Sequence, residues 1–253
     1  TLLVVATTGC VNQAPVPSKA PKNIIYFIGD GMGPSYVSGA RYLAKHKSAT
    51  QPFVFDQFEL GMAATHPNDP STMVTDSAAA ATALATGIKT YNGAIAVDAD
   101  KKPLKTLFEY AKEQGKSTGL AVTSQVTHAT PASFYAHQPY RKQQNEIANW
   151  FIDNSTSDTP IVDVILGGGT QYLQRDDRNI VTELTKRGYQ FTNDFTKLDS
   201  LTSPAIGLFH PIGFPHAIDA DTQRLSKMTK AAIEMLSSDK EGFVLLVEGS
   251  QID

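Results

Sequence analysis

Apolar residues recur along the chain as short runs separated by segments of helical spacing. Asn23–Ile28 (NIIYFI) is almost wholly apolar and predicts a strand buried on both faces. It runs into Gly29-Asp30-Gly31-Met32-Gly33-Pro34, after which Tyr36–Ala44 has helical character. Gly61–Thr65 is a short strand candidate. Ser77–Thr86 is rich in alanine, with Asp76 placed to cap its start and Gly87 to stop it. Leu104–Gln114 repeats apolar residues at Leu104, Leu107, Phe108 and Ala111 before Gly115 ends the pattern. Leu120–Thr123 reads as a strand, Asn145–Phe151 as a helix, and Ile161–Leu166 as a buried strand followed by three glycines. Asn179–Arg187 and Thr222–Leu236 read as helices, the second leading into a last strand at Phe243–Val247 (FVLLV).

Strand alternating with helix predicts an α/β fold with a mostly parallel central sheet and helices on both faces. In such folds chemistry collects at the carboxyl ends of the strands. A chain of 253 residues is long enough for a full hydrophobic core. With 41% hydrophobic and 19% charged residues, a disordered or all-polar chain is excluded. The net charge of −3 supplies no basic field for nucleic acid. Cys10 is the single cysteine, so an intrachain disulfide and a thiolate metal cluster are both excluded. Any metal must be held by oxygen and imidazole. No apolar run reaches the length of about 18 residues that a membrane-spanning helix needs.

Thr1–Gly9 (TLLVVATTG) is apolar or small throughout, stops at Cys10, and is followed by an uncharged, proline-containing stretch to Pro17. That order fits the end of a secretory signal, and Cys10 after Thr8-Gly9 fits a lipoprotein box except that Thr7 stands where Leu is preferred. A buried N-terminal strand is the bland alternative. Residues 1–21 are accordingly read as a signal or lipoprotein-type remnant and linker. The expectation is an exported protein, periplasmic or anchored to a membrane through lipid on Cys10. The first residue is Thr rather than Met, and the apolar FVLLV run lies only six residues from the last residue, so both ends are expected to be cut.

Four strand ends carry reactive residue types. Asp30 follows the first strand inside a glycine-rich turn, where it would repel a pyrophosphate unless a cation intervened. Ser77 opens the alanine-rich helix, where backbone N–H groups and the helix dipole favour an anion. His128-Ala129-Thr130 follows the Leu120–Thr123 strand, and Arg141 lies thirteen residues past His128. Glu248 and Asp253 bracket Gly249-Ser250-Gln251-Ile252 after the last strand. Each has an ordinary role too: a turn or capping Asp, a helix-start Ser, a structural His, a surface Arg. An acid closing a run as apolar as FVLLV is the strongest single signal. No Gly-x-Ser-x-Gly elbow occurs and no His or Lys is spaced near Ser77 as a base, so a nucleophilic Ser77 requires a metal to lower its pKa. Together, oxygen-rich ligands and a hydroxyl nucleophile fit metal-assisted phosphoryl transfer better than acyl transfer or redox chemistry.

At these residues the chain resembles bacterial alkaline phosphatase. The matching pieces are IGDGMG at Ile28–Gly33, TDSAAAATALATG at Thr75–Gly87, THATPA at Thr127–Ala132, Arg141, and VEGSQID at Val247–Asp253. The resemblance implies a phosphate monoester hydrolase with two zinc sites and one magnesium site, working through a phosphoserine intermediate. It implies that Asp30 bridges a zinc and the magnesium, and that Ser77 is the nucleophile coordinated to the same zinc. Thr130 and Glu248 would complete the protein ligands of the magnesium, and Asp253 would belong to the other zinc. Arg141 would clamp the non-bridging phosphate oxygens. His128 stands where members carry either Asp or His, outside the direct ligands, and predicts weaker magnesium retention than an Asp. Residues 22–253 are then the N-terminal part of the catalytic domain, its fold incomplete on the C-terminal side. The resemblance also calls for a His soon after Asp253, an Asp-His pair and a distal His. These 253 residues do not supply them, since His46, His66, His137, His210 and His216 match no family ligand. A segment with so few zinc ligands is expected to be inactive alone. Phosphate monoesters, inorganic phosphate and a second copy of the full-length protein are the implied partners.

Two alternatives stand beside this reading. One is another hydrolase or mutase of the same superfamily, such as a phosphodiesterase; a sulfatase is disfavoured because no Cys-x-Pro-x-Arg occurs. The other is a noncatalytic exported lipoprotein that binds phosphate or metal, in which Ser77 would have no chemical task.

Overall fold

In the computed structural model, residues 21–47, 53–153 and 159–253 are described. Six strands, β1 (Ile24–Gly29), β2 (Ser117–Gln125), β3 (Val164–Gly168), β4 (Gln190–Thr192), β5 (Ala205–Leu208) and β6 (Phe243–Gly249), form a sheet in the order β1-β6-β2-β3-β5-β4. Every neighbouring pair is parallel. Between the strands run helices α1 (Pro34–His46), α2 (Ser77–Thr86), α3 (Leu107–Glu113), α4 (Ala129–Ala132), α5 (Gln144–Asp153), α6 (Thr170–Leu173), α7 (Ile180–Lys186) and α8 (Arg224–Leu236).

The period of two along β6 divides its side chains between two cores. Val244 and Leu246 join Phe108, Phe134, Tyr135, Ile147, Phe151 and Leu184 on one face. Phe243, Leu245 and Val247 join Met228, Ala232, Met235 and Leu236 of α8 on the other. Residues 228, 231, 232, 235 and 236 share one stripe of α8, the spacing an amphipathic helix needs to cover a sheet. The result is an α/β architecture with helices on both faces, as the alternation predicts.

Helix boundaries follow their caps. Asp76 accepts the Ala79 N–H and Gly87 takes a left-handed φ of 76°, so α2 starts and stops where the sequence indicates. Thr106 and Glu109 form a reciprocal capping box that starts α3 three residues later than the apolar spacing suggests.

Two expectations are corrected, and two strands were not anticipated. β1 is not buried on both faces: it lies at the sheet edge, and Phe27 is 65% exposed beside α8. Gly61–Thr65 forms no strand; Lys89 Nζ donates to the carbonyls of Ala64 and His66, so a side chain rather than a neighbouring strand holds this stretch. β4 and β5 escape a periodicity reading because three and four residues are too short to show one. Cys10 and the apolar run before it lie outside the described residues.

Candidate active site and metal centre

The candidate residues converge at the carboxyl edge of the sheet. A cleft of about 610 Å³ is lined by Asp30, Ser77, Thr130, Arg141 and Asp253, with Asp76 and Thr65 at its wall. Asp30 is delivered by the turn after β1, and its N–H donates to the Gly249 carbonyl at 3.2 Å, tying the turn to the end of β6. Gly31 has a φ of +68°, and a Cβ there would sit 2.9 Å from the Cα and Oδ1 of Asp253. Glycine is therefore required for Asp253 to close against this turn.

Glu248 is fully buried because β6 is an interior strand, with Ile28 of β1 and Val122 of β2 alongside it. Ser124 donates to its Oε2 at 3.0 Å, whereas Oε1 has no hydrogen-bond partner. Burial pushes its pKa up to about 7, and the charge of Asp30 adds to the effect, while the Ser124 hydrogen bond opposes it. Burial likewise raises the pKa of Asp30, helped by Asp253 and Asp76 and opposed by Arg141.

Asp30, His128 and Glu248 each place a ligand atom within 4.8 Å of the others. Burial and the neighbouring Arg141 push His128 down to about 4, so the imidazole is neutral. Its Nε2 lies 3.0 Å from Arg141 Nη2, which is always a donor. Nε2 therefore accepts, the ring proton sits on Nδ1, and that buried atom has no partner. The His128 ring thus lies next to Asp30 and Glu248 while its Nε2 is taken up by Arg141.

Arg141 also donates from Nη1 to Asp76 Oδ2 at 3.1 Å. It is the only cation among the described residues lining the cleft, against Asp30, Asp76 and Asp253 there and Glu248 behind them. A fully buried Glu248 beside the half-buried Asp30 favours a positive partner. The orphaned Glu248 Oε1, the carboxylate of Asp30 and the Thr130 hydroxyl are the donors a hard divalent cation takes. The residues present fit a metal ion.

Two contributors carried no sequence signal strong enough to single them out. Ser124 is one of four hydroxyl residues in β2, so nothing in the strand singles it out as the partner of Glu248. Asn92 binds the backbone ahead of Ser77, and nothing in its local sequence announces this.

The sequence profile of the alkaline phosphatase family matches residues 21–253. The chain belongs to the alkaline phosphatase family. Alkaline phosphatase 3 of Bacillus subtilis is 50% identical over 237 residues, covering 92% of this chain and 51% of its own length. Thus the chain spans about half the length of the first curated relatives it matches. The cold-active alkaline phosphatase of a Shewanella species superposes with a TM-score of 0.83 at 46% identity, over 91% of this chain and 57% of that one. A histidine-to-aspartate mutant of TAB5 alkaline phosphatase, described with Mg bound in its M3 site, superposes with a TM-score of 0.80 at 34% identity. That match covers 92% of this chain and 65% of the TAB5 chain. Among the described residues no helix is long and apolar enough to cross a membrane.

Proposed function

We propose that the protein is a metal-dependent phosphate monoester hydrolase acting through a phosphoserine at Ser77. The observation that carries this reading is the pairing of two features in one cleft. Ser77 stands at the first turn of α2 beside an anchored guanidinium, and next to it lies an acidic cluster around the buried Glu248 for which, among the described residues, Arg141 is the one cation lining the cleft.

In this reading the Ser77 oxygen, its proton given up to solvent water, attacks phosphorus, and the ester oxygen departs on the opposite side and takes a proton from water. The phosphoryl group left on Ser77 Oγ sits at the N-terminus of α2, where free N–H groups and the helix dipole favour negative charge. Arg141 holds the non-bridging oxygens, already aimed by its bond to Asp76. Water then displaces Ser77 and inorganic phosphate leaves. Asp30, Thr130 and Glu248 would hold a magnesium ion, Asp30 and Ser77 one zinc, and Asp253 a second zinc. When bound, these ions lower the serine pKa and neutralise charge on the departing and entering oxygens. His128 keeps its proton on Nδ1 and, being neutral, adds no charge to the magnesium position.

From these residues one zinc position draws two donors and the other draws one, too few to close either site. The 253-residue segment expressed alone is accordingly expected to be inactive. Residues 22–253 act as the N-terminal part of the catalytic domain, in an exported protein that pairs with a second copy, with Cys10 as the candidate lipid anchor. Steady-state assays of the full-length gene product on a phosphate monoester and a phosphate diester, before and after chelation, test the reading. It predicts chelator-sensitive hydrolysis of the monoester; preferential hydrolysis of the diester, or stoichiometric phosphate binding without turnover, contradicts it.

A further inference from the structure

Asn92 sits in the turn after α2, and its side chain spans the segment that leads into Ser77. Its Oδ1 accepts the Asp76 N–H at 3.0 Å and its Nδ2 donates to the Val74 carbonyl at 2.9 Å. A single amide thus does for this stretch what a paired strand does elsewhere. The stretch needs it: Met73 and Val74 are largely exposed, and among the described residues the other hydrogen bonds of Val74 involve only the Thr72 hydroxyl, which accepts its N–H and donates to its carbonyl.

The same turn holds Arg141. The Gly93 carbonyl accepts the Arg141 N–H at 2.8 Å, and Ile95 exchanges two backbone bonds with Gln138 at 2.9 Å each. Gly93 has a φ of +92°, and a Cβ there would press to 3.1 Å from the Tyr140 ring, so the two segments meet as closely as glycine allows. From inside, the Thr82 hydroxyl donates to the Ala94 carbonyl and accepts the Ala96 N–H, both at 3.0 Å, and fastens the turn to α2. One short turn therefore supports the approach to Ser77 through Asn92 and the backbone of Arg141 through Gly93.

We propose that Asn92 is a positioning residue: its side-chain amide locks the Val74–Asp76 backbone to the turn that carries Arg141, and so sets the placement of the Ser77 hydroxyl relative to the guanidinium. This rests on the functional reading of Ser77 and Arg141 given above. Without the amide, Asp76 keeps its bonds to Ala79 and Arg141 but loses its backbone partner. The turn into α2 can then shift while the helix and the core stay intact. Misplacing reacting groups by about 1 Å costs on the order of 10²-fold in rate.

The test uses the zinc- and magnesium-loaded full-length gene product with Asn92→Ala and Asn92→Asp. Asn92→Asp keeps an acceptor for the Asp76 N–H and loses the donor to Val74. The expected result is a fall of about 10²-fold in kcat/KM for Asn92→Ala, with kcat reduced, a small change in Tm, and an intermediate value for Asn92→Asp. In metal-free protein, amide hydrogen exchange at Asp76 should accelerate in Asn92→Ala and remain slow at the buried strands. Wild-type kcat and KM in Asn92→Ala, or unchanged exchange at Asp76, overturns the proposal. If Asn92→Ala does not fold, Asn92→Asp carries the comparison alone, and wild-type kinetics in it count against the proposal. A wild-type protein without monoesterase activity refutes the functional reading instead, and the exchange measurement still decides the role of Asn92.

Discussion

Arg141 bonds through Nη1 to Oδ2 of Asp76, the residue immediately before Ser77, at 3.1 Å. The other oxygen of Asp76 caps α2 by accepting the Ala79 N–H at 2.9 Å. One carboxylate thus fixes both the helix that presents Ser77 and the guanidinium that faces it. The bond to His128 Nε2 completes the hold on Arg141, so its planar head is oriented before any anion arrives.

Arg141→Ala should lower kcat/KM for a phosphate monoester about 10²-fold, because a preorganised donor to the charged oxygens is lost. Arg141→Lys should recover only part of this, since a point charge cannot hold Asp76 and His128 and also offer a fork to phosphate. Steady-state kinetics of the full-length product separate the three proteins. Equal activity in Arg141→Lys and wild type would show that charge alone suffices.

His128→Asp should tighten magnesium binding by about 10- to 100-fold, since it adds an anion next to Asp30 and Glu248. Calorimetric titration with magnesium, or ion retention after dialysis, measures it. Absence of any gain would remove His128 from the determinants of the magnesium position.

Most strand-end chemistry was legible because it follows from local rules. Asp30 lies in a turn whose Gly31 must take a positive φ, Ser77 follows a capping Asp, and Glu248 ends a strand too apolar to leave an acid in water. What local rules cannot carry is long-range partnership. Asn92 reaches Asp76 across sixteen residues and Ser124 reaches Glu248 across 124, so neither contact leaves a periodic trace. The burial expected for the first strand fails at Phe27 because, among the described residues, β1 has a neighbouring strand on one side only, and the composition of one strand does not carry its place in the sheet. The neutral, Nδ1-protonated state of His128 was equally invisible, since it depends on Arg141 folding back onto it.

A second buried imidazole makes a pH prediction away from the metal centre. His137 Nδ1 lies 2.9 Å from the Ala96 carbonyl and Nε2 lies 3.2 Å from Glu109 Oε1, so both ring nitrogens face acceptors and both bonds are made only by the protonated ring. Burial alone would lower its pKa, but the bonds to Glu109 and Ala96 outweigh burial and raise it. With the folded pKa above the unfolded one, the pair stabilises the fold fully below the ordinary histidine value. That contribution is lost as pH rises through the raised folded value. Tm measured from about pH 6 to about pH 9 should fall more steeply for wild type than for His137→Gln. At the acid end of that range His137→Gln should be less stable by about 2 kcal/mol. Parallel Tm profiles would contradict the doubly protonated assignment.

Thr82→Val should destabilise the fold by about 1 to 3 kcal/mol despite its near-equal shape, because the Ala96 N–H loses its buried partner. Denaturant unfolding gives the value; a change within about 0.5 kcal/mol would mean that the turn re-forms its bonds elsewhere.

The most direct measurement is the mass of the peptide containing Ser77 after the full-length gene product, loaded with zinc and magnesium, is acid-quenched during turnover of a phosphate monoester. One phosphoryl group is expected on Ser77 in the wild type and none anywhere in Ser77→Ala. A phosphoryl group still bound covalently in Ser77→Ala, or hydrolysis at the wild-type rate by that variant, contradicts this expectation.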